Sequence, residues 1–143
     1  MSANILVIED DVDLRTEIVE FLLRRHHLPF GCGTLAEATA VLETMTPDSI
    51  LSDINLPDGD GLNFCMNNAP RFPGAMWLLM SGNDDLVRLS SQLKSMGGDR
   101  PTFAIVKKPV PLRLLDRFIG GTGSAPASAL DQPAANSVAA TSA

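Results

Sequence analysis

Apolar residues in this chain come in short unbroken runs rather than in alternation with polar ones. The clearest are residues 5–8 (ILVI), 49–51 (SIL), 76–80 (MWLLM) and 103–106 (FAIV). Alternation marks a strand with one wet face. Unbroken runs of this length mark strands covered on both faces, as in a parallel sheet between helices. Residues 28–32 (LPFGC) predict a weaker fifth strand. Between the runs the spacing turns helical. Over 12–26, Leu14, Ile18, Phe21 and Leu22 form one stripe, with Arg and Glu opposite and Asp11 placed to cap. Thr34 opens a second helix, and Glu37 completes a capping-box pattern. Its stripe is Leu35, Ala38, Leu42 and Met45. A third, short helix begins near Gly61 and stops in NAPRFPG (68–74), because Pro70 and Pro73 cannot continue it. A fourth fits 84–96, ended by Gly97 and Gly98. A fifth fits 111–119, with Pro111 in its first turn and Leu112, Leu115, Phe118 and Ile119 inward. Strand and helix alternate five times, which predicts a doubly wound α/β domain with right-handed crossovers over residues 1–119.

Composition changes this picture at one end. Residues 120–143 are rich in Ala, Ser, Gly and Pro, with one charge and no aromatic ring. Such a segment buries too little to fold alone, so a flexible low-complexity tail or linker is expected there. The net charge of −6 argues against a nucleic-acid surface. No apolar run is long enough to cross a membrane. No basic stretch precedes the first apolar run, so no secretory signal is expected and a cytoplasmic location is. Cys32 and Cys65 do not have metal-ligand spacing and are expected as small buried side chains.

In an open α/β sheet, ligands bind beyond the carboxyl ends of the strands. Glu9, Asp10 and Asp11 follow the first run, and Asp53 ends the third. Ser81 follows the fourth, and Lys107 and Lys108 the fifth, just before Pro109. The chemistry of that set is coherent. Asp10 and Asp53 can share a hard divalent cation through oxygen. A lysine and a hydroxyl can each meet a phosphate oxygen. An aspartate can be a nucleophile toward phosphorus. The turn cluster after Asp53, LPDGDG, keeps the chain from closing over that carboxylate. Asp58 and Asp60 read as turn residues, Met76, Trp77 and Met80 as core, and His26 and His27 as the basic end of the first helix.

The ordered set ILVIEDD, LSDINLPDGDG, LLMSG and VKKPV resembles the receiver domain of bacterial two-component response regulators. The resemblance covers about residues 1–119. It implies the flavodoxin-like (βα)5 fold, with a five-stranded parallel sheet of order 2-1-3-4-5. It implies that Asp53 is the phosphoacceptor, and that Asp10 holds Mg²⁺ (or Mn²⁺) with Glu9 beside it, acting through water. The Asn55 main-chain carbonyl would complete the protein ligands. Ser81 takes the place of the switch hydroxyl, and Lys108 that of the lysine on the phosphoryl group, in a Lys-Pro peptide that is usually cis. Lys107 competes for that place, and strand alternation lets only one of the two reach the site.

Two departures stand out. The family's switch aromatic lies three residues before the lysine, which here is Ile105, and Phe103 is expected to be out of register for it by strand alternation. The stretch from Ser81 to Lys108 is long, with an extended loop expected at SMGGDRPT.

The function implied is that of a stand-alone receiver. It would take a phosphoryl group from a histidine kinase or histidine phosphotransfer protein and change its surface toward a downstream protein target. It would catalyse only its own phosphorylation and dephosphorylation. Three alternatives remain: a fragment whose tail leads to an output domain, a phosphorylation-independent interaction module, and a phosphatase of the haloacid dehalogenase type. The last needs a second aspartate at the position of Asn55.

Overall fold

The computed structural model describes residues 3–82 and 102–120. The helix expected over 84–96, most of the loop after it and the tail from 121 onward lie outside the described residues.

Five parallel strands form one sheet: β1 (Asn4–Ile8), β2 (Leu28–Cys32), β3 (Ser49–Asp53), β4 (Met76–Ser81) and β5 (Thr102–Lys107), in spatial order β2-β1-β3-β4-β5. This is the 2-1-3-4-5 order that the family resemblance implied. Helices α1 (Val12–Arg24) and α4 (Leu112–Gly120) cover one face, and α2 (Leu35–Leu42) and α3 (Gly61–Asn68) the other. The β1 run shows why no alternation was visible. Ile5 and Val7 join the cluster under α1 and α4, while Leu6 and Ile8 join the one under α2 and α3. All four are fully buried. The core readings of Met76, Trp77 and Met80 hold, for all three are buried on β4, Trp77 and Met80 fully.

Local signals set most helix ends. Asp11 caps α1, accepting from the Asp13 and Leu14 amides at 3.0 and 3.2 Å. The helix stops at Arg24, two residues before the expected 26, because the Arg25 and His26 amides turn back to Leu22 and Leu23 and His26 takes φ 67°. Thr34 caps α2 through the Glu37 amide at 3.1 Å. The return bond of the expected capping box goes elsewhere: Glu37 Oε1 accepts from the Gly33 amide at 2.6 Å. Asp60 caps α3, which passes into a 3-10 turn at Ala69–Arg71. Pro111 precedes α4 rather than lying in its first turn, and the helix includes Gly120.

Position in the sheet accounts for two further details. In β2 the Leu28 amide and the Cys32 carbonyl bond toward the β1 side, so Pro29 turns its hydrogen-free nitrogen to the open edge. A proline is tolerated there because no neighbouring strand needs a donor. In β5, Phe103 and Ile105 pack on the same cluster, with Ala104 and Val106 on the other. The expected opposition of Phe103 to Ile105 is therefore wrong. Residues two apart share a face, and Phe103 lies about 6.6 Å farther down the strand. Among the described residues no helix is long and apolar enough to cross a membrane.

His27 is an acceptor rather than a cation at the helix end: its Nδ1 takes the Ala3 amide at 3.2 Å. Burial lowers its pKa below the ordinary 6.5. An unfolded chain therefore binds this proton at a pH where the fold does not, so the contribution is present above about 6.5 and is lost as pH falls through the lower folded value. The urea midpoint should drop between pH 7 and 5.5 more steeply in the wild type than in His27→Gln. Equal slopes would remove His27 as the cause.

Candidate functional site

The carboxyl ends of β1, β3 and β5 meet at one rim. Parallel pairing aligns β1 with β3 and β3 with β4, so residues just past each strand stand side by side. Glu9 and Asp53 are buried, at 0% and 5% exposure, whereas Asp10 is exposed. Ligand oxygens of Glu9, Asp10 and Asp53 all lie within 4.8 Å of one another.

Lys108 bridges the two buried carboxylates. Its Nζ donates to Asp53 Oδ2 at 2.9 Å and lies 2.9 Å from Glu9 Oε1. Toward Glu9 the contact is ionic without a well-directed hydrogen bond, so Oε1 keeps unused acceptor capacity while buried. Burial pushes the Glu9 carboxyl above its ordinary pKa, against the downward pull of Lys108 and the Asp11 amide, and the Asp53 charge adds to the rise. For Lys108, burial alone would lower the pKa. Its contacts with Glu9 and Asp53 outweigh that, so the ammonium is held upward. Two acids and one base in a half-dry pocket leave a surplus of negative charge. An oxygen-only donor set of this kind suits a hard divalent ion.

The backbone holds these groups in place. Glu9 Oε2 accepts from the Asp11 amide at 3.1 Å, and the Glu9 carbonyl accepts from Arg15 Nη1 at 2.8 Å. Asp53 Oδ1 accepts from the Asn55 amide at 3.3 Å. The Ile54 amide bonds the Met80 carbonyl at 3.0 Å, and the Lys108 amide the Ser81 carbonyl at 2.7 Å. Ser81 is buried at the end of β4. The Lys108–Pro109 peptide is cis. Of the two lysines, Lys108 enters the rim while Lys107 is exposed and pairs in register with Ser81. Ile105 is partly buried against the cluster of Leu79 and Ile8.

Beside the rim, a cleft of about 520 Å³ is lined by Asp11, Asp13, Leu14, Glu17, Gly82, Lys108 and Pro109. The cysteines take no part. Burial raises Cys32 to about 11 and Cys65 to about 12, so neither is a thiolate at neutral pH.

Three contributions were not legible beforehand. Arg15, read as part of the polar face of α1, lies across Gly31 of β2 and Gly33 just past it. A Cβ at Gly31 would touch its Cδ at 3.4 Å, and one at Gly33 its Nη1 at 2.8 Å. Gly61 does more than begin α3: a Cβ there would overlap the Asp53 carbonyl oxygen. Asp58 reaches α2. The nearest sequence signal was the clustering of small residues at GCG (31–33) and DGDG (58–61).

A family model described as the response regulator receiver domain matches residues 5–117. The chain is 30% identical over 86 residues to the DNA-binding transcriptional regulator NtrC of Proteus hauseri, across 58% of this chain and 18% of that one. It is 31% identical over 116 residues to the transcriptional regulatory protein AfsQ1 of Streptomyces coelicolor, across 81% and 49%. The chain thus spans less than half the length of either relative. A response regulator receiver domain protein (CheY-like) from Methanospirillum hungatei JF-1 shares the fold, with TM-score 0.73 over 86% of this chain and 95% of that one, at 23% identity.

Proposed function

The chain belongs to the response regulator receiver family, and on that premise we propose that it accepts a phosphoryl group on Asp53 from a histidine kinase or histidine phosphotransfer protein and then presents an altered surface to a downstream protein. The observation that carries this reading is the 2.9 Å contact of Lys108 with Asp53, made at a rim that also gathers Glu9 and Asp10.

Asp10, Asp53, the Asn55 carbonyl and, through water, Glu9 would hold Mg²⁺ or Mn²⁺. When bound, that ion supplies charge neutralisation for the phosphoryl oxygens. The rest of the chemistry falls to the chain. An Asp53 oxygen attacks phosphorus while the P–N bond to the donor imidazole breaks. Lys108 gives up its place on Asp53 and meets an oxygen of the arriving group, and the Ser81 hydroxyl donates to another. Ile105 stands where the family's switch aromatic stands. It is β-branched and restricted at χ1, so it cannot swing a ring between buried and exposed states. The surface change would then travel through backbone at the ends of β4 and β5. The same role serves a chain of this length or the receiver segment of a longer regulator in the cytoplasm. The genomic reading frame on either side distinguishes the two.

Incubation with acetyl phosphate and Mg²⁺, followed by mapping of the acid-stable, hydroxylamine-labile label, should place it on Asp53. Asp10→Ala should slow that labelling and weaken Mg²⁺ binding by more than the about 10–100-fold that loss of an outer-shell partner costs. Its metal-free stability should not fall, since one of three crowded carboxylates is gone. A label elsewhere, or unchanged Mg²⁺ affinity, would overturn the assignment.

A further inference from the structure

Between β3 and α3 the chain forms a two-residue antiparallel ribbon, with Asn55 opposite Asp60 and Leu56 opposite Gly59. Its turn is tied to a distant helix. Asp58 Oδ1 accepts from the Leu35 amide at 2.9 Å, and Oδ2 from the Ala36 amide at 3.0 Å. These are the first two amides of α2, which helix geometry leaves without partners. Thr34, the helix's own cap, takes the Glu37 amide instead. The first turn of α2 is therefore capped partly by its own residue and partly by one 22–23 positions later. A close apolar contact backs the polar one. Leu35 and Leu56 pack on one cluster, and a Cβ at Gly59 would lie 2.8 Å from Leu35 Cδ1. Gly59 also takes φ 156°, which a side chain disfavours.

The ribbon starts at Asn55, whose main-chain carbonyl the phosphoacceptor reading assigns to the cation. One end is fixed to β3 through the Asn55 amide on Asp53 Oδ1. The other is fixed to α3, where Asp60 accepts from the Leu62 and Asn63 amides. Between those ends the turn is held by Asp58. We propose that Asp58 is a positioning residue: by clamping the ribbon to α2 it sets the Asn55 carbonyl for the cation, and by the same two bonds it couples cation binding to the first turn of α2. This inference rests on the phosphoacceptor reading.

The test is Mg²⁺ titration of the full chain, with amide hydrogen exchange at Leu35 and Ala36. In the wild type, Mg²⁺ should increase protection of both amides. Asp58→Ala should weaken Mg²⁺ about tenfold, the lower end for an outer-shell partner, and abolish the protection gain. Asp58→Asn keeps one acceptor oxygen without the charge and should lose less. Thr34→Ala loosens α2 without touching the ribbon and should leave Mg²⁺ affinity unchanged. Wild-type affinity in Asp58→Ala overturns the clamp. So does a loss in Thr34→Ala as large as that in Asp58→Ala, or equal losses in the Asn and Ala variants that vanish at high salt. Failure of the wild type to bind Mg²⁺ would instead overturn the phosphoacceptor reading, and the inference with it.

Discussion

Asp53→Asn protein should take up no phosphoryl label from acetyl phosphate or from a phosphorylated donor, a loss on the order of 10⁴ or more, because removing a nucleophile leaves no covalent route. The amide is nearly isosteric with the carboxylate, so the geometry around it should survive. Its oxygen can still accept from Lys108, which sits 2.9 Å from Asp53 Oδ2 and keeps its ion pair with Glu9. The Asp53 charge is one of the causes that raise Glu9, so removing it relieves a repulsion between buried acids. The expected stability is within about 1 kcal/mol of wild type. Loss of labelling together with loss of the fold would leave the nucleophile unassigned, so the melting curve is measured beside the label. A folded Asp53→Asn protein that labels at wild-type stoichiometry would place the chemistry on another residue.

Gly61→Ala should be the most damaging single methyl in the described chain. Gly61 is the first residue of α3, and its Cβ would overlap the Asp53 carbonyl oxygen and lie 3.0 Å from both the Asp53 carbonyl carbon and Ser52 Oγ. Neither side can yield cheaply. The Asp53 carbonyl is held by Ser52 Oγ at 3.0 Å, and the Gly61 amide by the Ile54 carbonyl at 2.7 Å. The methyl must therefore push α3 off the end of β3 or pull Asp53 away from Lys108. Overpacking against fixed backbone costs about 3 kcal/mol. Phosphorylation should fall as well, through misplacement of Asp53. Gly74→Ala is the control, since nothing lies within 4 Å of a Cβ there. It should change stability by less than about 0.5 kcal/mol. Equal urea midpoints for the two variants would show that Gly61 is not a close-approach position.

The strands were legible because burial on both faces is written locally. Residues 5–8 had to be apolar throughout, since successive side chains enter opposite layers. The caps at Asp11 and Thr34 were legible for a similar reason, as each acts on amides within three residues of itself, whereas Asp60, expected only as a turn residue, also caps α3. The capping box at Glu37 failed by one residue: a side chain long enough to reach back can choose between neighbouring amides, and it took that of Gly33. His27 was misjudged because its partner, the Ala3 amide, is 24 residues away.

The pattern along the chain was enough to give the five strands of the main sheet, their alternation with helices, and the acids, hydroxyl and lysines that follow the strand ends. Hydrophobic period and connection handedness are properties of single segments, and a parallel sheet carries whatever follows each strand to one edge. How those groups face one another is set by packing between segments distant in the chain. Packing placed Lys108 between Glu9 and Asp53, and sent Asp58 to α2 and Arg15 across Gly31 and Gly33. Each of these is a distance between segments far apart in the chain. Such distances follow from how layers pack, and local pattern carries no record of them.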